Sequence, residues 1–217
     1  MLIFFDLDGT LTEISKRHFR VYREVVIENG GTPLGKKDYW ERKRSNTAWS
    51  ALLTASSINP AQEKIFLNRF TELIESPEML RIDRLLSGSA EILARLKEEN
   101  RLWLVSLRRN GENLVSQLEW LGISSFFERV ITGHSDTLEG VLSVKAEAIN
   151  RTEEDVAGAL FVGDTEADIS AARILNICSV AVTSGIRSPE YLAKLEPDFI
   201  IGSVGQLEEV LIALRHK

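Results

Sequence analysis

The chain has 217 residues, of which 44% are hydrophobic and 27% are charged, and it contains only 14 Gly and 5 Pro. This composition argues against a disordered or fibrous protein, and the length suits one large domain or a core domain with a smaller insert. The formal net charge of -6 argues against a protein that works on nucleic acid or on an anionic membrane, because such binding needs a basic surface.

The first predicted element is a short buried strand at the N-terminus, Leu2–Phe5. This apolar run is too short for the hydrophobic part of a secretion signal, and no segment approaches the roughly 20 apolar residues of a membrane span. We therefore expect a cytoplasmic protein without a membrane partner. The single cysteine, Cys178, excludes an internal disulfide and a cysteine-based zinc site.

A long stretch after this strand shows helical periodicity only, with no convincing strand from about Glu13 to Leu85. This pattern indicates a helical insertion, and we expect residues 13–85 to form a cap domain. Within it, the charge-rich segment Lys36–Arg44 could be a basic patch for a substrate or for nucleic acid, but an exposed helix face is the better interpretation. We accordingly expect no nucleic-acid partner.

The rest of the chain alternates short apolar runs with helical patterns, which is typical of a parallel sheet with helices on its faces. Five further strands are predicted, at Leu102–Val105, Arg129–Ile131, Ala159–Val162, Ile177–Val182 and Phe199–Ile201. Helices are predicted at Ser89–Glu99, at Glu112–Leu121 and from Gln206 to about Arg215. The expected fold class is therefore α/β, a doubly wound, Rossmann-like parallel sheet core formed by residues 1–12 and 86–217, with the inserted α-helical cap.

Acidic residues follow two of the predicted strands at the points where those strands end. Asp6 and Asp8 follow the first strand, and Asp164 and Asp168 follow the strand that ends at Val162. Ligands of doubly wound sheets bind outside the carboxyl ends of the strands, so these acids are expected to converge. Converging carboxylates repel unless a cation lies among them, and Mg²⁺ fits better than zinc because these motifs contain no Cys or His. Any single acid could be only a turn former or a helix cap, but the whole set favours a metal site.

The chain resembles the haloacid dehalogenase-like superfamily in the order of four motifs along its core. These are Asp6-Leu7-Asp8-Gly9-Thr10, then Ser106, then Lys145, and finally Gly163-Asp164-Thr165-Glu166-Ala167-Asp168. The first and last motifs are highly specific. The position of the helical insert, just after the first motif, is similar to the helical-cap subgroup of the superfamily, which includes phosphoglycolate phosphatase-like enzymes.

The resemblance implies a phosphatase that hydrolyses a small phosphorylated metabolite, phosphoglycolate-like or a phosphosugar, through a covalent intermediate. Asp6 would attack the substrate phosphorus to give an aspartyl-phosphate, which water then hydrolyses. Asp8 would protonate the leaving alcohol and then take a proton from the attacking water, which requires a carboxyl that titrates near the working pH. Both would be catalytic residues.

The resemblance also implies which groups bind the phosphoryl oxygens and the cofactor, Mg²⁺. Ser106 and Lys145 would hold the phosphoryl oxygens, although Ser106 could be a mere helix cap and Lys145 a solvated lysine. Lys145 has no rival, because it is the only lysine between Lys97 and Lys194. The metal ligands would be the carboxylates of Asp6 and Asp164, the backbone carbonyl of Asp8, and Asp168 in direct or indirect support.

The residues after Ser106 depart from the family pattern, which has small or amide side chains there. A guanidinium at Arg108 or Arg109 could bind a second anionic group of the substrate, and a solvated loop is the equal alternative. Lys145 is followed by Ala146, where the family frequently has proline. Arg108 therefore joins Ser106 and Lys145 as a candidate for substrate binding.

Three histidines lie outside the motifs, namely His18, His134 and His216. We expect surface or packing roles for them. His134 is the only one of the three that lies near a predicted active-site loop.

The sequence leaves alternatives to phosphomonoester hydrolysis open. One is phosphoryl transfer to a sugar rather than to water, as in the phosphosugar mutases of the superfamily. Another is a non-catalytic module that keeps the fold and a phosphate site, which the complete set of acids disfavours. The sequence is equally compatible with a monomer and a homodimer.

Overall fold

The computed structural model describes residues 1–133 and 138–215 of the chain. Within this part the strands are β1 (Leu2–Phe5), β2 (Thr12–Glu13), β3 (Arg84–Leu85), β4 (Arg101–Ser106), β5 (Arg129–Thr132), β6 (Leu160–Gly163), β7 (Cys178–Val182) and β8 (Phe199–Ile201). Six of them form one parallel sheet in the order β5-β4-β1-β6-β7-β8, and β2 pairs separately with β3. The expected parallel sheet is confirmed.

The α-helices of the described residues fill the connections between these strands. They are α1 (Ser15–Glu28), α2 (Lys36–Arg44), α3 (Trp49–Ala55), α4 (Glu63–Ile74), α5 (Pro77–Leu80), α6 (Ser89–Glu99), α7 (Gly111–Trp120), α8 (Leu138–Asn150), α9 (Glu166–Ile174), α10 (Pro189–Ala193) and α11 (Leu207–Arg215). Short 3₁₀ helices add Pro60–Gln62, Ser124–Phe126 and Val204–Gln206. In the part of the chain that the structure describes, no helix is long and apolar enough to cross a bilayer.

The first strand lies at the centre of the large sheet, where β4 and β6 pair with its two edges. All four residues of β1 are buried, because side chains alternate between the two faces of a strand and helices cover both faces here. Ile3 and Phe5 belong to the apolar cluster on one face, whereas Leu2 and Phe4 belong to the cluster on the other. This burial fixes β1 and the residues that follow it.

The helices α1 to α5 lie between β2 and β3 and share an apolar cluster of their own. Its buried members include Val21 and Tyr22 of α1, Leu52 of α3 and Phe66 of α4. A separate cluster of this kind allows a group of helices to pack without using the core of the sheet. The structure thus confirms the expected helical insert, and we propose that residues 13–85 act as a cap.

A pair of very short strands joins the insert to the sheet-containing core, in a stretch where no strand was expected. Thr12 of β2 pairs with Leu85 of β3, and Glu13 pairs with Arg84, in antiparallel register. Two residues are too few to show the period-two pattern by which strands are recognised in a sequence. The prediction of an all-helical stretch was therefore wrong at its two ends.

Candidate active site

The carboxyl ends of β1, β4 and β6 meet at one edge of the sheet, beside a cavity of about 250 Å³. Residues from the core and from the insert both line this cavity. The lining includes the ionisable or hydroxyl side chains of Asp6, Asp8, Arg17, His18, Glu75, Ser106, Arg108, Lys145, Asp164 and Thr165. The cavity therefore brings together the predicted site residues, with Asp168 just outside its lining.

Three of the four acids that were expected to converge form a cluster of buried carboxylates, whereas the carboxylate of Asp8 is bound by two arginines instead. One oxygen each of Asp6, Asp164 and Asp168 can be chosen so that all three lie within 4.8 Å of one another. The hydroxyl of Thr10 donates to Asp6 Oδ2 at 3.3 Å and to Asp164 Oδ1 at 3.4 Å as alternative acceptors. The side chain of Thr10 thus lies against two of the three acids.

Lys145 of α8 provides the positive charge next to this acid cluster. Its Nζ donates to Asp6 Oδ1 and to Asp168 Oδ1, both at 2.6 Å, and the side chain is only 2% exposed. Burial disfavours the charged amine, but the carboxylates of Asp168 and Asp6 raise the pKa of Lys145 above its ordinary value. Lys145 therefore carries a permanent charge directly beside Asp6, which agrees with the position expected from the sequence.

The three carboxylates outnumber the lysine, and their protonation equilibria reflect this. Burial raises the pKa of Asp6 to about 7, against the attraction of Lys145 and with added repulsion from Asp168. Burial and the charges of Asp6 and Asp168 raise the pKa of Asp164 well above its usual range. Shifts of this direction mean that the cluster binds additional positive charge favourably, and carboxylate oxygens are the ligands that Mg²⁺ prefers. The cluster therefore fits a magnesium ion.

Both carboxylate oxygens of Asp168 accept hydrogen bonds. Oδ1 accepts from Lys145, while Oδ2 accepts from the backbone N–H of Thr165 at 2.9 Å and from its hydroxyl at 2.8 Å. Thr165 and Asp168 form a capping box at the start of α9. Asp168 consequently fixes the start of this helix and the direction of the Lys145 ammonium at the same time.

Asp164 is held by the loop after β7, in a way that the sequence did not suggest. Its Oδ2 accepts from the backbone N–H of Ile186 at 2.6 Å. A Cβ atom on the neighbouring Gly185 would collide with the Asp164 carboxylate. Only glycine allows such a close approach without moving the acid. An isolated glycine far from the motifs gave no signal of this role.

We expect Gly185→Ala to weaken Mg²⁺ binding, because the added methyl group must displace Asp164 or the loop, at a cost of about 1–3 kcal/mol. Saturating Mg²⁺ should raise the Tm of the unchanged protein by roughly 5–10 °C. The rise should shrink to less than about half in Gly185→Ala. Gly35→Ala is the matched control, since a Cβ there meets nothing within 4 Å. An undiminished rise in Gly185→Ala would contradict the assignment of Asp164 as a ligand.

Asp8 differs from the expectation of a carboxyl that titrates near the working pH. Arg108 donates from Nε to Asp8 Oδ2 at 2.5 Å and from Nη2 to Oδ1 at 2.8 Å, and Arg17 Nη2 donates to Oδ1 at 2.6 Å. Burial alone would raise the pKa of Asp8, but the guanidiniums of Arg108 and Arg17 hold it well below its usual range. In this arrangement Asp8 is ionised.

Ser106 and Arg108 both lie where the sequence placed them, beside the cavity. Ser106 is the last residue of β4, and its Oγ accepts from the backbone N–H of Arg108 at 3.3 Å. The Arg108 side chain is 5% exposed, so the alternative of a solvated loop is wrong for this residue. Arg109, by contrast, is exposed.

Arg17, Asp83 and Gln117 are buried polar residues of the site that the motifs did not indicate. Arg17 lies on α1 four residues before Val21, which is itself buried and followed by buried Val25. A charged residue on the apolar stripe of a helix is unusual, because buried charges need partners. This spacing was the one feature of the sequence that could have indicated a buried, paired Arg17.

His18 has the packing role that was expected, but it also lines the cavity. Its ring lies 6.1 Å from that of Trp40 and 6.0 Å from that of Phe70, measured between centroids. Burial and the charge of Arg17 keep the pKa of His18 well below its ordinary value, so the ring is neutral. His134 and His216 lie outside the described residues.

Comparison with known proteins places this arrangement in a family. The family model described as haloacid dehalogenase-like hydrolase matches residues 1–176, which include all four motifs. The chain belongs to the haloacid dehalogenase-like hydrolase family. Membership confirms the resemblance noted in the sequence and the expectation that the chain is a hydrolytic enzyme.

Relatives of this haloacid dehalogenase-like hydrolase match it over nearly its whole length. A phosphoglycolate phosphatase of Synechococcus elongatus is 24% identical, with 98% of this chain and 97% of that protein covered. A pyrophosphatase PpaX of Listeria innocua is 25% identical, with 94% and 93% covered. A solved haloacid dehalogenase-like hydrolase from Streptococcus pneumoniae has a TM-score of 0.77 at 21% identity, with 98% and 97% covered. The last similarity concerns the fold.

Proposed function

We propose that this chain is a magnesium-dependent phosphomonoester hydrolase that acts on a small phosphorylated metabolite, phosphoglycolate-like or a phosphosugar. The observation that carries the proposal is the contact of Asp6 with Lys145 inside a cluster of buried acids that lines a small cavity. Relatives named phosphoglycolate phosphatase and pyrophosphatase support phosphate chemistry.

Asp6 is the proposed nucleophile. Lys145 holds its Oδ1 at 2.6 Å and Thr10 lies 3.3 Å from its Oδ2, so the carboxylate has a fixed direction. Attack by one oxygen on phosphorus breaks the ester bond and leaves an aspartyl-phosphate, which water then hydrolyses to restore the carboxylate and release phosphate. A positioned carboxylate suits this reaction, since most of the catalysis of phosphoryl transfer comes from orientation and electrostatics.

Asp8 is the proposed acid and base of the reaction. Asp8 is ionised in the structure, so it would first take up a proton from water, then give it to the leaving alcohol oxygen, and later take one from the attacking water. This role requires its carboxyl to turn from Arg17 and Arg108 towards the substrate, because both of its oxygens are engaged by them in the structure. Ser106 and Lys145 would hold phosphoryl oxygens from the core side of the cavity.

Asp6 and Asp164 are the proposed carboxylate ligands of Mg²⁺, with the backbone carbonyl of Asp8 as a third protein ligand. Asp168 supports the site by holding Lys145 and the start of α9. When bound, Mg²⁺ supplies positive charge that offsets the negative charge of the carboxylates and the phosphoryl oxygens. Thr10, between the two ligand carboxylates, maintains their spacing.

The insert is proposed to shield the reacting atoms from bulk water. Glu75, just after α4, accepts from the backbone N–H groups of Arg109 and Asn110, each at 3.0 Å. Arg44 at the end of α2 donates to the carbonyl of Thr183 at 2.9 Å. These contacts hold the insert against the core, and exclusion of water strengthens the electrostatic interactions within the cavity.

Phosphate release from a panel of phosphomonoesters tests the proposed function. The panel contains phosphoglycolate, several phosphosugars, nucleotides and pyrophosphate, each assayed with Mg²⁺ and again after EDTA treatment. We expect release from a small phosphomonoester, and its loss on EDTA treatment should be restored by Mg²⁺. Phosphosugar isomers without free phosphate would instead indicate a mutase, and no turnover of any compound would indicate a phosphate-binding module.

A further inference from the structure

Two buried arginines form a carboxylate-binding pair on the wall of the cavity. Arg17 and Arg108 both line it, and their side chains are 2% and 5% exposed. Three of their N–H groups converge on the two oxygens of one carboxylate, that of Asp8. Arg108 contributes two parallel donors, which is the geometry by which a guanidinium recognises a carboxylate most strongly.

A second set of polar groups fixes the pair from behind. Arg17 donates from Nε to Asp83 at 3.1 Å and from Nη1 to the carbonyl of Ile74 at 2.8 Å. Arg108 Nη2 also donates to Gln117 Oε1 at 3.0 Å, and Gln117 Nε2 donates to Asp83 Oδ2 at 2.9 Å. Both guanidiniums are therefore held in one direction by groups other than Asp8, which is typical of a pre-organised binding site.

The two arginines come from opposite sides of the cavity. Arg17 belongs to α1 of the insert, whereas Arg108 follows β4 of the core. Asp83, which lies just before β3, connects with both through Arg17 and Gln117. An anion bound between the arginines would thus contact the insert and the core at once.

In the structure the carboxylate of Asp8 is the anion that both arginines contact in the cavity. The positive charges of Arg17 and Arg108 face the negative charges of Asp8 and Asp83. When Asp8 turns towards the leaving group, as its proposed role requires, the two guanidiniums lose the carboxylate that both contact. Asp83 and, through space, Glu75 then remain as the negative charges near them. A buried charge that loses its partner is strongly unfavourable, so another anion is needed in that place.

We propose that Arg17 and Arg108 bind a carboxylate of the substrate, in the place that the Asp8 carboxylate occupies in the structure. This inference rests on the proposed function and narrows its substrate class to small phosphomonoesters that also carry a carboxylate. A cavity of about 250 Å³ suits a small substrate. Binding of the carboxylate releases Asp8 for the reaction, so substrate recognition and the availability of the proton donor are linked.

Paired substrates and paired variants test the proposal. Phosphoglycolate and ethyl phosphate differ in the carboxylate, and kcat/KM is measured for both with the unchanged protein, with Arg108→Gln and with Arg109→Gln. Dividing each variant by the unchanged protein for the same substrate removes the different reactivity of the two esters. Arg108→Gln should lower kcat/KM for phosphoglycolate about 10²-fold more than for ethyl phosphate. The exposed Arg109→Gln is the control, and it should leave the ratio unchanged.

Arg108→Lys keeps the charge but loses the two parallel donors, so an intermediate loss of the preference is expected if Arg108→Gln folds poorly. Equal losses for both substrates in the folded variants would overturn the carboxylate site and leave Arg108 as a positioning residue for Asp8. Preferential hydrolysis of pyrophosphate, lost in Arg108→Gln, would assign the site to a second phosphate and would equally overturn the proposal.

Calorimetric binding to Asp6→Asn separates this inference from the proposed function. Phosphoglycolate should bind about 10²-fold more tightly than ethyl phosphate, and Arg108→Gln in the same background should remove the difference. That result without turnover by the unchanged protein would leave the carboxylate site standing while the hydrolase proposal fails. Equal affinity for the two esters would overturn the carboxylate site even if both are hydrolysed.

Discussion

Asp6→Asn is expected to lower kcat for phosphomonoester hydrolysis by about 10⁴-fold or more, because an amide cannot form the aspartyl-phosphate. Asparagine has nearly the same shape as aspartate, and its amide oxygen can still accept from Lys145, which lies 2.6 Å from Asp6 Oδ1. The fold should therefore remain intact while the reaction stops.

The measurement is single-turnover phosphate release with Mg²⁺, accompanied by circular dichroism to verify folding. Asp155→Asn is the matched control, since Asp155 is exposed and its substitution changes the same chemical group. The unchanged protein should in addition form an acid-stable, hydroxylamine-sensitive phosphoryl adduct that Asp6→Asn does not form. Turnover within about tenfold of the unchanged protein would show that a different residue is the nucleophile.

Lys145→Gln is expected to reduce kcat/KM by about 10²–10³-fold, because a fixed positive charge beside the attacked phosphoryl group is lost. The substitution should also lower the free energy of unfolding by about 3 kcal/mol at pH 8, since Asp6 and Asp168 then lack their buried counter-charge. Both carboxylates contact the lysine directly at 2.6 Å. Lys194→Gln provides the control, as Lys194 is exposed.

The loss of stability in Lys145→Gln should depend on pH in a defined direction. Lys145 lowers the pKa of Asp6, which is about 7 in the unchanged protein, so its removal raises that pKa further. A carboxyl whose pKa is raised in the folded state costs stability as pH rises from its ordinary pKa of 3.8 to the folded value. The additional cost in the variant arises only above the pH at which Asp6 ionises in the unchanged protein, and it is absent while Asp6 is protonated in both folded proteins. Urea denaturation without Mg²⁺ should therefore show a smaller difference at pH 5.5 than at pH 8. Equal differences at the two pH values would contradict the electrostatic role of Lys145.

The inner strands of the large sheet, β1, β4, β6 and β7, could be predicted from the sequence because they are almost entirely buried on both faces. Such strands appear as continuous apolar runs. The edge strands β5 and β8 are more exposed. The observed bounds of β4, β5, β6 and β7 lie within one residue of the predicted ones. The helix α6 was predicted with the observed bounds, since its apolar residues recur at helical spacing. The two-residue strands β2 and β3 were not predicted, because their pairing depends on contacts between distant parts of the chain.

The acid cluster could also be predicted, since its members follow strands that must end at the same edge of the sheet. The arrangement around Asp8 could not. Arg17, Asp83 and Gln117 are separated by tens of residues, and only the packing of the insert on the core brings them together. Their side chains are common types at spacings that also suit exposed helix faces, so the sequence contains no local pattern that distinguishes them.

The ladder between β2 and β3 has a consequence for the ancestry of such proteins. The insert leaves the core at Thr12 and returns at Leu85, and these two residues are direct partners. Because the points of departure and return are adjacent, one insert can be exchanged for another in evolution without any change in the path of the sheet. The part of the cavity lining that the insert supplies, which includes Arg17, can then be replaced while the residues supplied by the core, among them Arg108, are retained.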